Sequence, residues 1–108
     1  MNDRELLELA ARAAGIDPVL AEPINFSTGV EYYWNPLTDD GDALRLAVKL
    51  GLHVKVCRRM VLVEQREVGD DKIERLHSDP YAATRRAIVR AAAEIGKSIT
   101  QPGATSSP

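Results

Sequence analysis

The stretch that decides the fold runs Trp34-Asn-Pro-Leu-Thr-Asp-Asp-Gly-Asp-Ala-Leu-Arg-Leu-Ala-Val-Lys-Leu-Gly51. It joins an aromatic cluster to a proline turn, an acidic helix start and an amphipathic helix that a glycine ends. The predicted N-cap is Thr38 or Asp39, and the helix dipole favours the acids of the first turn: Asp39, Asp40 and Asp42. The predicted buried stripe consists of Leu44, Ala47 and Val48, flanked by Ala43, Leu46 and Leu50. An apolar arc this wide predicts a helix that packs on a sheet.

The residues before this stretch predict one helix and a long connection. Asn2 and Glu5 form a capping-box pattern, and apolar residues at helical spacing follow, which predicts a helix over 3–14. Gly15 supplies the left-handed residue that ends many helices. Residues 16–30 contain too many prolines, glycines and asparagines for a regular element. The aromatic residues 31–34 predict a short strand that Pro36 stops.

After Gly51 the apolar period changes from 3.6 towards 2. Val54 and Val56 fall on one strand face, with His53, Lys55 and Cys57 on the other. A turn signal at 68–71 follows a β-branched run, and Ile73 begins a further strand. The pattern predicts two or three antiparallel strands over 53–77. It leaves open whether Arg58 and Arg59 interrupt one strand or separate two.

A last helix begins at Asp79 and Pro80, a capping carboxylate followed by proline at the first helical position. Its predicted apolar face consists of Tyr81, Thr84, Ile88, Ala92 and Ile95, with Ala87 and Ala91 beside it. Gly96 is the predicted end of the helix. We therefore expect a single domain over residues 1–96 and a disordered tail over residues 97–108, which are rich in Ser, Thr, Gly and Pro.

Composition points to an ordinary soluble domain. The chain has 108 residues, 44% of them hydrophobic and 28% charged, which suits one globular domain with one core. No apolar run is long enough for a membrane span, and the N-terminal residues lack the layout of a signal peptide, so we expect a cytoplasmic protein. Cys57 is the only cysteine, which precludes an intrachain disulfide, and its apolar surroundings favour a buried, inert thiol.

Charge is unevenly distributed along the chain. Residues 1–50 carry nine acids and four bases, a net −5, whereas residues 51–108 carry seven acids and ten bases, a net +3. Five arginines are candidates for an anion-binding patch: Arg58, Arg59, Arg85, Arg86 and Arg90. Such a patch would bind the phosphates of a nucleotide or nucleic acid. The alternative is a solvated face that neighbouring glutamates neutralise.

The sequence contains no pattern typical of catalysis or metal binding. The three aspartates at 39–42 lack the remaining acidic ligands of a calcium loop, and helix capping accounts for them. His53 and Cys57 lie about 13 Å apart on an extended strand, too far to chelate one ion. His77 and Asp79 flank a helix start, which is more typical of boundary residues than of a proton-handling pair. We therefore predict a protein that is not an enzyme and has no metal or cofactor.

Three of the five aromatic residues are adjacent: Tyr32, Tyr33 and Trp34. On a strand, Tyr32 and Trp34 face one way and Tyr33 the other, so one core cannot bury all three. One interpretation is a binding surface or an oligomer contact. The other is that Trp34 alone anchors the core and the tyrosines are partly covered.

Two segments carry a family resemblance: Trp34-Asn-Pro-Leu-Thr-Asp, and Asp79-Pro80-Tyr81-Ala-Ala-Thr-Arg-Arg-Ala-Ile-Val-Arg-Ala-Ala. With the order helix, aromatic turn, helix, antiparallel strands and alanine-rich helix, residues 2–96 resemble the phage ABA sandwich domain family of small phage and prophage proteins. The chain departs from that pattern at Leu37, between the proline and the threonine, and in its strand region. The resemblance implies a sheet with helices packed on it, and it implies no activity or functional residues.

These features together predict an α+β fold, a small two-layer or three-layer sandwich in which three helices pack on a short antiparallel sheet. The predicted function is that of a phage or prophage accessory protein in the bacterial cytoplasm that works by binding. The leading hypothesis is a protein-binding or self-associating module that uses the aromatic cluster, with the alanine face of the last helix as a second candidate surface. The alternative is an inhibitor of host defence that binds a nucleotide or nucleic acid through the arginines.

Overall fold

The computed structural model describes residues 2–16, 34–65 and 71–100. Three helices and three strands occur there: α1 (Asp3–Ala13), α2 (Asp40–Leu50), β1 (His53–Val56), β2 (Met60–Glu64), β3 (Lys72–Arg75) and α3 (Pro80–Thr100). The predicted loop over 17–30, the aromatic residues 31–33 and the turn residues 68–70 lie outside the described residues.

Capping residues set both ends of α1. The Asn2 side chain accepts a hydrogen bond of 2.8 Å from the Glu5 backbone N–H. At the other end Gly15 has a φ of 75°, and the N–H of Ile16 donates to the carbonyl of Ala11. This is the glycine-dependent C-terminal motif that satisfies the last carbonyls of a helix. The predicted helix over 3–14 is confirmed to within one residue.

Helix α2 begins and ends as its sequence predicts. Of the two candidate N-caps, Asp39 is the one observed, because its Oδ2 accepts a hydrogen bond of 2.8 Å from the Asp42 N–H. Gly51 ends the helix with a φ of 65°.

The predicted buried stripe of α2 is wrong in part. Ala47 is buried as expected, but Leu44 and Val48 are 64% and 73% exposed, and the flanking residues Ala43 and Leu46 are buried in their place. The reason is that α2 packs on α3 and makes no extensive contact with any of the described strands. The helix therefore buries Ala43, Leu46 and Ala47 and leaves Leu44 and Val48 outside.

The three strands form one antiparallel sheet in the order β1-β2-β3. Arg58 and Arg59 form the two-residue connection between β1 and β2, which resolves the open question of one strand or two. Val54 pairs with Val63 and Val56 with Val61, so these four valines share the face towards the helices. On β3 the same face carries Lys72 and Glu74, which pair with Glu94 and Arg90 of α3.

Helix α3 lies across β2 and β3 and is longer than predicted. Asp79 caps it as expected, since its Oδ1 accepts hydrogen bonds from the N–H groups of Tyr81 and Ala82 at 3.1 and 3.0 Å. The prediction that Gly96 ends the helix is wrong, because the helix continues to Thr100, through the first four residues of the predicted tail over 97–108. Residues 101–108 of that tail lie outside the described residues. A Cβ at Gly96 would overlap the carbonyl oxygen of Leu9 and lie 2.7 Å from its carbonyl carbon. Gly96 therefore serves close packing against α1.

The core is built mainly from alanine and valine. Val61, Val63 and Val89 are fully buried, and alanines of α1 and α3 fill the space between those two helices. The alanine face of α3 is buried in this core and is therefore not a surface for a partner. Tyr81, predicted on the buried face, is instead 70% exposed at the first turn of α3. The described residues form a small α+β fold, as predicted: α3 packs directly on the three-stranded antiparallel sheet, and α1 and α2 pack on α3.

Candidate functional site

An exposed apolar groove lies between α2 and β1 among the described residues and is here called the α2–β1 groove. Ala43, Leu44 and Ala47 of α2 line one wall, and Val54 and Val56 of β1 line the other. Helix α3 forms the inner wall with Tyr81, Thr84 and Ile88. The groove has a volume of about 540 Å³, which is within the usual range of ligand sites.

The large side chains of the groove are exposed to solvent. Leu44 is 64% exposed, Val56 60% and Tyr81 70%, and Val48 continues the same apolar surface one helical turn after Leu44. Single exposed apolar residues are ordinary on protein surfaces. A contiguous group of them that surrounds a concave surface is typical of an interaction site.

A salt bridge holds one end of the groove in place. Arg85 Nη1 lies 2.6 Å from Asp40 Oδ1, and Arg85 Nε donates a hydrogen bond of 2.8 Å to the carbonyl of Leu37. The Arg85 side chain is 16% exposed and that of Asp40 is 70% exposed, so one half of this contact is open to solvent. Arg85 thus ties both the first residue of α2 and the turn before it to α3.

Each candidate arginine on α3 has an acidic partner. Arg85 binds Asp40, Arg86 lies 3.3 Å from Asp3, and Arg90 lies 2.5 Å from Glu74. The three partners belong to α2, α1 and β3, so these arginines serve to attach separate elements to α3. Arg58 and Arg59 are exposed in the β1–β2 connection, and neither forms an ion pair with another described residue. The α3 arginines are thus neutralised by two aspartates and Glu74, whereas the alternative named neighbouring glutamates and a solvated face, and Arg85 is largely buried.

The aromatic cluster is represented by one described residue, since Tyr32 and Tyr33 lie outside the described part. Trp34 is 5% exposed and belongs to the hydrophobic core. It therefore acts as a core anchor, as the second interpretation expects of Trp34, and offers almost no surface to a partner; what that interpretation says of the tyrosines stays a prediction. Beside it, the buried Asn35 donates its backbone N–H to Asp42 Oδ2 at 3.0 Å.

The three aspartates at the start of α2 have separate structural roles. Asp39 caps the helix, Asp40 binds Arg85, and Asp42 accepts hydrogen bonds from the Asn35 N–H and from Arg45. No group of three or more His, Cys, Asp or Glu side chains is close enough to hold a metal ion in the ranges 2–16, 34–65 and 71–100.

The remaining candidates show no catalytic geometry. Cys57 is half-buried, less so than predicted, with its Sγ 4.0 Å from the carbonyl of Lys55. His77 and Asp79 help to line a second, more polar cavity of about 350 Å³ at the start of α3. The Asp79 carboxylate already accepts the N–H groups of that helix end, which leaves them unavailable to an anion.

Sequence reasoning misses the groove because it assigns the groove's residues to the core. Leu44, Val48 and Tyr81 fit the apolar periodicity of their helices, which predicts that they are buried. The useful signal is the abundance of apolar residues in α2, six of its eleven positions, which is more than one neighbour can cover.

Comparisons of the chain with protein-family models, with curated proteins and with solved structures gave no match. The resemblance to the phage ABA sandwich domain family stays a prediction from its two sequence motifs. Among the described helices, none has the length and apolar character that crossing a membrane requires.

Proposed function

We propose that this chain is a non-catalytic protein-binding module whose contact surface is the α2–β1 groove. One observation carries the proposal: Leu44, Val48, Val56 and Tyr81 are all 60% exposed or more, and they belong to a concave apolar surface or continue it. The predicted role of a phage or prophage accessory protein fits such a module, and it rests on the family resemblance alone.

The groove replaces the aromatic cluster as the main contact surface in this proposal. Trp34 is buried, whereas Tyr81 presents an exposed ring beside Leu44 and Val56. A tyrosine at the edge of an apolar surface is a residue type that protein interfaces favour. The nucleotide alternative has less support, because the α3 arginines already bind Asp40, Asp3 and Glu74.

A selection from a library of displayed peptides and small domains tests the proposal while the natural partner is unidentified. Binders selected on the unmodified chain are compared on two variants, Leu44→Ser in the groove and Ile99→Ser near the end of α3. Leu44 and Ile99 are similarly exposed, at 64% and 53%, so the two substitutions remove comparable apolar surface.

We expect Leu44→Ser to weaken most selected binders roughly tenfold or more, since burial of one leucine contributes about 1.5–3 kcal/mol. Ile99→Ser should leave those affinities unchanged. If neither Leu44→Ser nor Tyr81→Ser changes the affinity of the selected binders, the contact surface lies elsewhere.

A further inference from the structure

The outer edge of β1 offers hydrogen-bonding groups to another strand. β1 is the terminal strand of the sheet, and the Cys57 N–H donates to the Met60 carbonyl at 2.8 Å. Hydrogen-bonded pairs alternate along an antiparallel ladder, so Lys55 and His53 also bond to β2, and Val54 and Val56 do not. The N–H and C=O groups of Val54 and Val56 therefore point away from β2. No other described strand pairs with them.

The same two residues direct their side chains into the α2–β1 groove. Helix α3 packs on β2 and β3, and α2 packs on α3, but neither helix packs extensively on β1. Leu44 on α2 consequently faces the groove with no described strand beneath it. A strand placed one interstrand distance from β1, about 4.8 Å, would extend the apolar face that Val54 and Val56 present to the groove.

We propose that β1 accepts a fourth strand from a partner protein, an extended segment in which apolar residues alternate with acidic ones. This inference rests on the proposed function and specifies the partner. Residues paired with Val54 and Val56 would point into the groove, because paired residues share a face, and the groove is apolar. Backbone hydrogen bonds along an exposed sheet edge provide the affinity in this mode of binding, and alternate side chains provide the specificity.

The acidic positions of the partner strand are inferred from the charges along the edge of β1, away from the groove. The intervening residues of the added strand would lie beside His53 and Lys55, and the Arg58–Arg59 connection follows directly after β1. Among the described residues, Glu64 is the acid that lies close to His53 and Lys55, at 3.4 and 3.8 Å. Lys55 on this edge, with Arg58 and Arg59 in the connection after it, outweighs Glu64 in charge, so the described edge is basic and favours carboxylates on the partner.

A second copy of the chain fits the edge less well. An antiparallel, two-fold pairing of β1 with itself centred on Val54 places His53 opposite Lys55 and gives Lys55 no carboxylate partner, and one centred on Lys55 places the two lysines opposite each other. Opposed like charges destabilise a strand pair. A pairing centred on Val56 instead puts Arg58 opposite Val54 in the apolar groove. Each of these registers is worse than an acidic partner strand.

The test uses a seven-residue peptide that alternates valine and glutamate, at pH 7, where the glutamates repel each other and oppose peptide aggregation. Its controls are the valine–lysine analogue and a peptide of the same composition with the valines in one block. Backbone amides of the full chain are followed by NMR during titration, together with their hydrogen exchange. We expect the Val54 and Val56 amides to shift and to become protected from exchange. Binding should weaken at high salt and fall at least tenfold for both control peptides.

A proline substitution separates strand pairing from mere contact with the groove. Val56→Pro removes an N–H that points away from β2, so the β1–β2 ladder stays intact, and proline is tolerated at such an edge position. Val56→Ala is the matched control, because it shortens the side chain and keeps the N–H. We expect Val56→Pro to abolish peptide binding and Val56→Ala to weaken it only moderately.

Three results would overturn the inference. The first is protection of the Val54 and Val56 amides in the free monomer, which would mean that the chain covers its own edge. The second is a dimer in light scattering that Val56→Pro dissociates, which would make a second copy the occupant. The third is a set of selected binders whose affinity falls with Leu44→Ser but does not change with Val56→Pro. The groove would then bind proteins without strand addition, so the proposed function would stand and this inference would fail.

Discussion

The α1–α3 interface and the α2–β1 groove use apolar residues in opposite ways. Where α1 meets α3, the buried residues are small, with Ala10, Ala11 and Ala92 almost wholly inaccessible and Gly96 against the Leu9 backbone. Around the groove, Leu44, Val48, Val56 and Tyr81 are large and exposed. Of these two regions, the first uses small side chains for close contact between helices, and the second leaves large ones on the surface.

The difference separates the source of stability from the surface for binding. Small residues let two helix backbones approach closely and leave no space for a ligand between them. On the other side, the Arg85–Asp40 salt bridge attaches α2 to α3, while no described element covers the apolar surface between α2 and β1. Substitutions in the first region should therefore change the free energy of unfolding, and those in the second should change binding.

The largest expected effect is that of Trp34→Ala. Trp34 is 5% exposed within the core, and truncation of a buried aromatic side chain leaves a cavity that costs about 3–5 kcal/mol. Urea unfolding followed by circular dichroism measures the loss. Tyr81→Ala, which truncates an aromatic residue that is 70% exposed, is the control and should change stability by less than about 0.5 kcal/mol. Equal losses of unfolding free energy for the two variants would contradict the view that the core supplies stability and the groove supplies a binding surface.

A smaller loss is expected for Gly96→Ala. Alanine is the better helix former by about 1 kcal/mol, but its Cβ would overlap the backbone of Leu9, which cannot move as a side-chain end can. Overpacking of this kind costs about 1–3 kcal/mol, so we expect a net loss. Gly41→Ala in α2 is the matched control, because there the Cβ meets only the side chains of Asp39 and Arg45, at 3.2 Å. A thermal melt in which Gly41→Ala is neutral or stabilising and Gly96→Ala lowers Tm confirms the close approach.

Removal of the Asp42 carboxylate tests the turn before α2. The Asp42 side chain is 5% exposed and accepts the N–H of the buried Asn35, so Asp42→Ala leaves that donor unpaired at a cost of about 1–3 kcal/mol. Asp3→Ala provides the comparison, since Asp3 also pairs with an arginine but is 65% exposed. We expect it to cost at most about 1 kcal/mol. Chemical denaturation of both variants gives the two values, and similar values would mean that the Asn35–Asp42 hydrogen bond is dispensable.

Local rules predict the ends of the helices, and non-local packing decides which faces they bury. Asn2, Asp39 and Asp79 cap helices because their side chains reach N–H groups two or three residues away, which sequence alone specifies. Gly96 fits the same local rule, which wrongly assigns it to a helix end. Its actual role depends on Leu9, which is 87 residues earlier in the chain.

The groove could not be predicted from the sequence, because it too depends on packing between residues that are distant in the chain. Apolar residues occupy so much of α2 that two different faces satisfy the helical period, and only the position of α3 selects between them. The exposure of Val56 likewise depends on the order of the strands, which places β1 at an edge that the helices do not cover. Periodicity identifies apolar residues, whereas the arrangement of elements determines which of them remain for a partner.

The smallest expected effect on stability is that of the double variant Leu44→Ala, Val48→Ala. Both side chains are more than 60% exposed, and alanine is at least as good a helix former, so the free energy of unfolding should change by less than about 0.5 kcal/mol. The matched core variant is Leu46→Ala in the same helix, where the side chain is 3% exposed and its loss should cost about 2–5 kcal/mol. A large loss from the double variant would mean that the groove is covered in solution and contributes to folding. A negligible loss, combined with lost binding of the valine–glutamate peptide, would show that α2 supports the fold with one face and a partner with the other.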